Sequence, residues 1–178
     1  MTWTKKVSNF QTDLQKGLLG QQLLLKAFKS LEHIDGLKGD LLAPCGSKVE
    51  CKADFYGMNK SSNWFMERYG SIESGKAGGA WLAKEGNCKY FIYFYVNELT
   101  GFVWHTDDLV SQLEPIIANL KPVEIRNRTW TTVGYKVPRS LTSPLFKFTL
   151  KEVEVLDETA KEHIIKLVNS WGFRGKIS

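Results

Sequence analysis

The order of patterns along the chain predicts an α/β protein, a central mixed β-sheet flanked by helices. Three observations carry that expectation. A helical pattern opens the chain between Ser8 and about Ser30, short strand-like runs follow it, and further helical patterns separate and end those runs. Among the runs, Lys89–Val96 (KYFIYFYV) is aromatic and β-branched without polar alternation. A strand of that composition is buried on both faces, which puts it at the centre of the sheet.

Each element has its own signal. Ser8 followed three residues later by Gln11 resembles a capping box, which starts the first helix. Leu14, Leu18, Gln21, Leu25 and Phe28 fall at helical spacing and are expected to share the inward stripe, with Gln21 as its polar member. Gly17 and Gly20 within this helix each cost about 1 kcal/mol relative to Ala, so tight packing against a neighbouring backbone is expected there. Strands are expected at Leu37–Ala43, Lys48–Phe55 and Asn63–Arg68, then a short helix at Ala80–Glu85 bounded by glycines. Beyond the central strand, Gly101–His105 reads as a strand. Thr106 is the expected cap of a helix with Asp107 and Asp108 in its first turn, where the helix dipole favours negative charge. That helix should turn Leu109, Leu113, Ile116, Ile117 and Leu120 inward and kink at Pro115. Val123–Arg128, Thr131–Val137 and Phe146–Val155 read as strands, and Glu158–Trp171 as a last amphipathic helix capped by Asp157 and stopped by Gly172.

Length and composition fit one domain. The chain has 178 residues, 43% hydrophobic and 24% charged, a soluble globular balance with no internal repeat and no linker. The expected division is a core of about residues 8–140 and a C-terminal strand and helix over 141–178. No apolar run reaches the roughly 18 residues of a membrane span. The polar start MTWTKKVSNFQTDLQ lacks a signal-peptide core, so no membrane partner and a cytoplasmic location are expected. Cys45, Cys51 and Cys88 lack metal-site spacing and read as reduced thiols. His33, His105 and His163 form no HxxxH or HxH pair, which argues against a zinc hydrolase. The net charge of +5 and pI near 9.0 favour polyanionic partners.

The stretch GDLLAPCGSKVECKAD holds the most informative residues. Asp40 starts one short apolar run, and ten residues later Glu50-x-Lys52 lies inside the next. Side chains alternate faces along a strand, so Glu50 and Lys52 point one way while Val49 and Cys51 turn to the core. If the runs are adjacent strands joined by a Pro44–Ser47 turn, about 4.8 Å apart, Asp40 reaches the same end. Mg²⁺ takes oxygen ligands, usually one or two carboxylates with water and substrate phosphate. Asp40, Glu50 and the backbone carbonyl of Cys51 supply such oxygens, and Lys52 stands ready to orient or deprotonate a water, or to steady developing negative charge.

This pattern resembles the PD-(D/E)XK nuclease superfamily, with its restriction-endonuclease-like core. The resemblance rests on a first helix, Leu14–Phe28, then Gly39-Asp40, then Val49-Glu50-Cys51-Lys52, with further likeness at Asn63–Glu67, Gly78–Tyr95 and Gly134–Pro138 to small nuclease-like proteins of phages and prokaryotes. It covers most of residues 10–140. It implies Mg²⁺- or Mn²⁺-dependent cleavage of DNA, with Asp40 and Glu50 as metal ligands and Lys52 as the catalytic lysine. Many members carry a glutamate in the first helix after a glycine. Here that position is Gln21, in GLLGQ, a neutral amide able to coordinate through oxygen but adding no charge. Homodimers are common in the superfamily, and the final helix with Trp171 and Phe173 offers one surface.

Other residues stand around this set. Glu67 shares a strand face with Asn63 and Phe65, so it is either an outer acid of the site or a strand-end surface charge. Lys84, Arg126, Arg128 and Lys136 are candidates for tracking a phosphate backbone, with ordinary surface positions as the alternative. Gly75–Gly79 lacks a P-loop lysine and reads as a turn. Trp64, Trp81 and Trp130 are candidates to stack on an unpaired base, against core positions. A non-catalytic nucleic-acid-binding protein that keeps the nuclease fold is the alternative function, and Gln21 is its support.

Overall fold

Cys88–Tyr95 is the strand around which the first sheet assembles. In a computed structural model, which describes residues 10–27, 32–33, 41–43 and 46–149, every residue from Phe91 to Asn97 is buried. Elements are numbered in chain order. The first sheet runs β1 (Glu32–His33), β2 (Leu41–Leu42), β3 (Lys48–Asp54), β6 (Cys88–Tyr95), β7 (Thr100–His105) and β10 (Phe146–Thr149). It is mixed: β3 and β6 are parallel, and the other neighbours are antiparallel. The crossover from β3 to β6 carries β4 (Asn63–Ser71), β5 (Lys76–Ala77) and helix α2 (Gly79–Glu85).

The expectation of one central sheet needs correction, because a second, antiparallel sheet stands beside it. Its order is β5, β4, β9 (Thr131–Pro138) and β8 (Val123–Arg126). Alternation in Val123–Arg128 and Thr131–Val137 marks them as strands without naming a partner. The two pair with each other as a hairpin, and β9 joins them to β4, some seventy residues earlier, through pairs such as Phe65↔Lys136 and Glu67↔Gly134.

The two faces of the first sheet bury two cores. Val49, Cys51, Ala53, Ile92 and Phe94 lie with the leucines of α1 (Phe10–Ala27). Phe91, Tyr93, Tyr95 and Trp104 lie on the other side, packed with α2, α3 (Thr106–Ile117), Trp64 and Met66 of β4, and Val137 of β9. The α1 stripe differs from the expected one. Leu19, Gly20, Leu23 and Leu24 are buried, while Leu18 is 40% exposed and Leu25 half-buried. Leu23 and Leu24 are fully buried, each contributing about 1.5–3 kcal/mol of transfer free energy, so the helix turns this face inward. Gln21 sits on the flank of that face and is half-buried. Gly20 explains its own cost: a Cβ there would stand 2.6 Å from the Cβ of Ala53, so α1 lies directly on β3.

Other local expectations hold with adjustments. Thr106 is the first residue of α3 rather than its cap; His105 precedes the helix without a side-chain cap bond, and the Thr106 hydroxyl is buried without a hydrogen-bond partner among the described residues. Asp107 and Asp108 do occupy the first turn, Pro115 lies inside the helix, and Leu109 and Leu113 are buried. His33 belongs to β1. Cys51 and Cys88 are not in a disulfide. Among the described residues no helix is long and apolar enough to cross a membrane. The Ser8 cap, the side chains of Leu14 and Phe28, Leu37–Asp40, Cys45, the strand beyond Thr149, His163 and the Glu158–Trp171 helix with Trp171 and Phe173 lie outside the described residues.

Candidate active site

Three charged residues on β3 share one face. Glu50, Lys52 and Asp54 alternate with Val49, Cys51 and Ala53, and stand in register beside Phe91, Tyr93 and Tyr95 of β6. This charged stripe meets the second sheet across a cleft of about 820 Å³. Glu50 and Lys52 line it from β3, Glu67 from β4, and Gly17 from α1. The β8–β9 hairpin closes the far side through Ile125, Asn127, Trp130 and Thr132. A second cavity of about 340 Å³ is walled mostly by apolar residues such as Val49, Ile92, Val103 and Phe148, with Tyr90 and His105 as its polar members and no carboxylate among the described residues.

Lys52 and Glu67 form a close charged contact in the cleft. The Lys52 ammonium donates to Glu67 Oε1 at 2.5 Å, with the two side chains 22% and 29% exposed. The same ammonium lies 5.7 Å from the centroid of the Phe65 ring, a cation–π distance. Burial pulls the Lys52 pKa down, but Glu67 first, then Asp54 and Cys51, push it up further, and the net direction is upward from 10.5. Lys52 is therefore an ammonium at neutral pH, a donor rather than a base. Glu67, read from sequence as either an outer acid or a surface charge, is inside the cleft.

Backbone geometry explains how Glu67 is placed. Gly78 and Gly79 start α2 directly against β4; a Cβ on Gly78 would lie 3.0 Å from Glu67 Cβ and 2.9 Å from the Gly70 nitrogen. Gly79 has φ +49°, a left-handed conformation that side chains rarely adopt. The glycine cluster serves close packing at the site, beyond the turn expected of it.

A hydroxyl ties the two walls together. Tyr93 Oη donates to Asp54 Oδ2 at 2.5 Å and accepts from the Phe65 backbone N–H at 3.1 Å. Asp54 Oδ1 also accepts from the N–H groups of Tyr56 (2.7 Å) and Gly57 (3.3 Å), which turns the chain at the end of β3. Burial first, then the Asp54 carboxylate, raises the Tyr93 pKa well above 10.0, so the phenol stays protonated.

The remaining expected site residues divide. Gln21 is not a lining residue of the cleft, yet it follows Gly17, which is, by one helical turn, and its Oε1 is a buried acceptor with no hydrogen-bond partner among the described residues. Asp40 lies outside the described residues. Among the described residues no three His, Cys, Asp or Glu side chains converge to hold a metal ion. Lys84 is exposed and pairs with Asp107 of α3 at 3.6 Å. Arg126 alternates with Ile125, which lines the cleft, and so faces away from it; Arg128 is exposed in the hairpin turn. Lys136 is exposed on the β9 face that also carries Thr132. Trp64 and Trp81, 1% and 6% exposed, are core residues and present no ring to a base, whereas Trp130 is half-buried in the cleft wall.

Asp54, Tyr93 and Lys76 were not among the expected residues. Asp54 was open to the same alternation that paired Glu50 with Lys52. Tyr93 and Lys76 carried no local signal, since only the packing of the two sheets gives them a place. No protein-family model matches the chain, and no curated protein or solved structure is found to match it. What fold and cleft define is a class, an α/β protein with a charged cleft between a mixed and an antiparallel sheet.

Proposed function

We propose that the protein is a divalent-metal-dependent nuclease that hydrolyses phosphodiester bonds of DNA, built on a restriction-endonuclease-like core. The observation that carries the reading is the meeting of Glu50, Lys52 and Glu67 in one cleft. The order of elements supports it: α1 precedes β2, β2 pairs antiparallel with β3, and β3 carries the acid-x-Lys triplet. Asp40 is the chain neighbour of Leu41, and Leu41 pairs with Val49, the chain neighbour of Glu50. That adjacency supports Asp40 and Glu50 as the two carboxylate ligands.

The residues that would hold the ion offer oxygen alone, as Mg²⁺ or Mn²⁺ prefers: Asp40, Glu50, the Cys51 carbonyl and Gln21 Oε1, which has no hydrogen-bond partner among the described residues. When bound, the ion supplies charge to polarise the phosphoryl oxygen and acidify a water. Lys52, as an ammonium, donates to the attacking water or to a phosphate oxygen and stabilises the extra charge of the transition state. Glu67 holds that ammonium in place.

The test is cleavage of labelled DNA with Mg²⁺ or Mn²⁺ and with neither. Glu50→Ala and Lys52→Ala should each lower the rate by about 100-fold or more while circular dichroism stays that of the wild type. Wild-type rates in both variants would overturn the site. A second reading, a nucleic-acid binder that cleaves nothing, has one observation in its favour: the Lys52 ammonium is already engaged by Glu67. It predicts salt-sensitive DNA binding without metal and no scission.

A further inference from the structure

We propose that the cleft takes an unpaired DNA strand, with one base stacked on Trp130 while the adjoining phosphate lies against Glu50 and Lys52. The inference rests on the nuclease reading for its phosphate end and on the hairpin for its base end. The two walls differ in chemistry. One is the Glu50–Lys52 stripe of β3; the other is the β8–β9 hairpin, where Ile125 and Thr132 are register partners and Trp130 stands in the turn. That turn is held by its own bonds: the Asn127 N–H donates to the Trp130 carbonyl at 2.8 Å, and the Asn127 side-chain amide to Thr132 Oγ1 at 3.2 Å. The neighbouring Thr131 N–H donates to Glu73 at 2.8 Å, so the ring sits on an anchored segment.

An aromatic wall facing a phosphate-cleaving group selects among DNA forms. In a duplex the bases are stacked on each other and only sugar, phosphate and groove edges reach the surface, so an indole across the cleft meets no base face. An unpaired strand presents a π-face at every nucleotide. At about 820 Å³ the cleft falls in the range of pockets that enclose small molecules, about 300–1,000 Å³, the scale of nucleotides rather than of a double helix. Lys76 lines the cleft and Lys136 extends the Thr132 face of β9, placing positive charge where a backbone would run.

Fluorescence anisotropy of a labelled single-stranded oligonucleotide and of the same sequence as a duplex, in Ca²⁺ and without metal, tests this. The single strand should bind at least tenfold more tightly. Trp130→Ala should lose about tenfold or more of that affinity, and Trp130→Phe should keep most of it. Equal affinity for the duplex, or wild-type binding by a folded Trp130→Ala, overturns the inference. The two readings fail separately. Trp130-dependent single-strand binding without scission in Mg²⁺ leaves the stacking site standing and removes the nuclease. Scission of the single strand by Trp130→Ala at the wild-type rate removes the stacking site and leaves the nuclease.

Discussion

Lys52 is a cation of the cleft whose charge is fixed by its neighbours. Glu67 takes its ammonium at 2.5 Å and Asp54 adds negative charge from two residues along the same face. Because both partners keep some contact with water, the pair contributes little to stability, about 1 kcal/mol or less. Its value lies in position. Glu67→Gln keeps the shape and one acceptor but removes the charge, and should lower kcat for DNA cleavage about tenfold with little change in Tm. A steady-state comparison of kcat with thermal melting checks both parts. Alternation alone gave Glu50 and Lys52 a common face and sent Val49 and Cys51 to the core. It gave Asp54 too, had the stripe been followed one step further. Glu67 as a partner was out of reach, because it comes from another sheet and no spacing rule links strands that pair elsewhere. The helical stripe drawn through Leu18 was one step off, and Gln21 lies on the flank of the buried face with its Oε1 buried; with leucines at 18, 19, 23, 24 and 25, that sequence leaves the buried face undecided without β3.

At the scale of elements, close contacts and capped turns decide what can change. Phe148 of β10 lies across from Gly101 of β7, and a Cβ on Gly101 would meet the ring at 2.1 Å. Gly101→Ala should therefore destabilise by about 1–3 kcal/mol, read as a lower urea midpoint with an unchanged slope. The turn after β4 is tied to β9 by a carboxylate. Glu73 accepts from the Thr131 backbone N–H at 2.8 Å and from Ser71 Oγ at 3.2 Å, and these bonds, the Thr131 one foremost, hold its pKa down from 4.5 to about 2. A depressed carboxylate stabilises above its unfolded value and loses that contribution as the pH falls towards its folded value. The Glu73–Thr131 tie should thus be whole above pH 4.5 and loosen on the way to pH 2, with amide exchange at Thr131, whose neighbour is Trp130, becoming faster relative to its intrinsic rate at each pH. Glu73→Gln should show the faster exchange already at neutral pH. Strand and helix positions were open to sequence because period and turn residues are local. The Thr106 cap was not, because its hydroxyl is drawn into the interior as α3 packs.

For the whole molecule the question is how two sheets hold one cleft. Nothing local in the sequence announces the second sheet, since β4 and β9 meet only after α2, β6, β7 and α3 have been folded between them. Their joint with the first sheet is aromatic. Trp64 of β4 packs on Tyr93, Tyr95, Phe102 and Trp104 with ring centroids 4.8–5.8 Å apart. Within that cluster Tyr93 Oη is the polar strut: it bonds Asp54, two residues after Lys52, and the N–H of Phe65, two residues before Glu67. The strut therefore sets the distance across which the ion pair closes. Tyr93→Phe keeps the ring and removes the hydroxyl, leaving the Phe65 N–H and one Asp54 oxygen short of a partner, at a cost of about 1–3 kcal/mol. The raised pKa values give the pH signature. Tyr93 and Lys52 both bind their protons more tightly in the folded protein, so their contribution is complete below about pH 10 and lost as the pH rises through the folded values. Wild-type stability should fall steeply above pH 10, and Tyr93→Phe should flatten that fall while starting from a lower value. If the strut also spaces the site, the same variant loses cleavage at pH 7.5 beyond what its unfolded fraction explains. Urea titrations at pH 7.5 and pH 10.5, run beside the cleavage assay, separate a loosened cleft from a merely weaker fold.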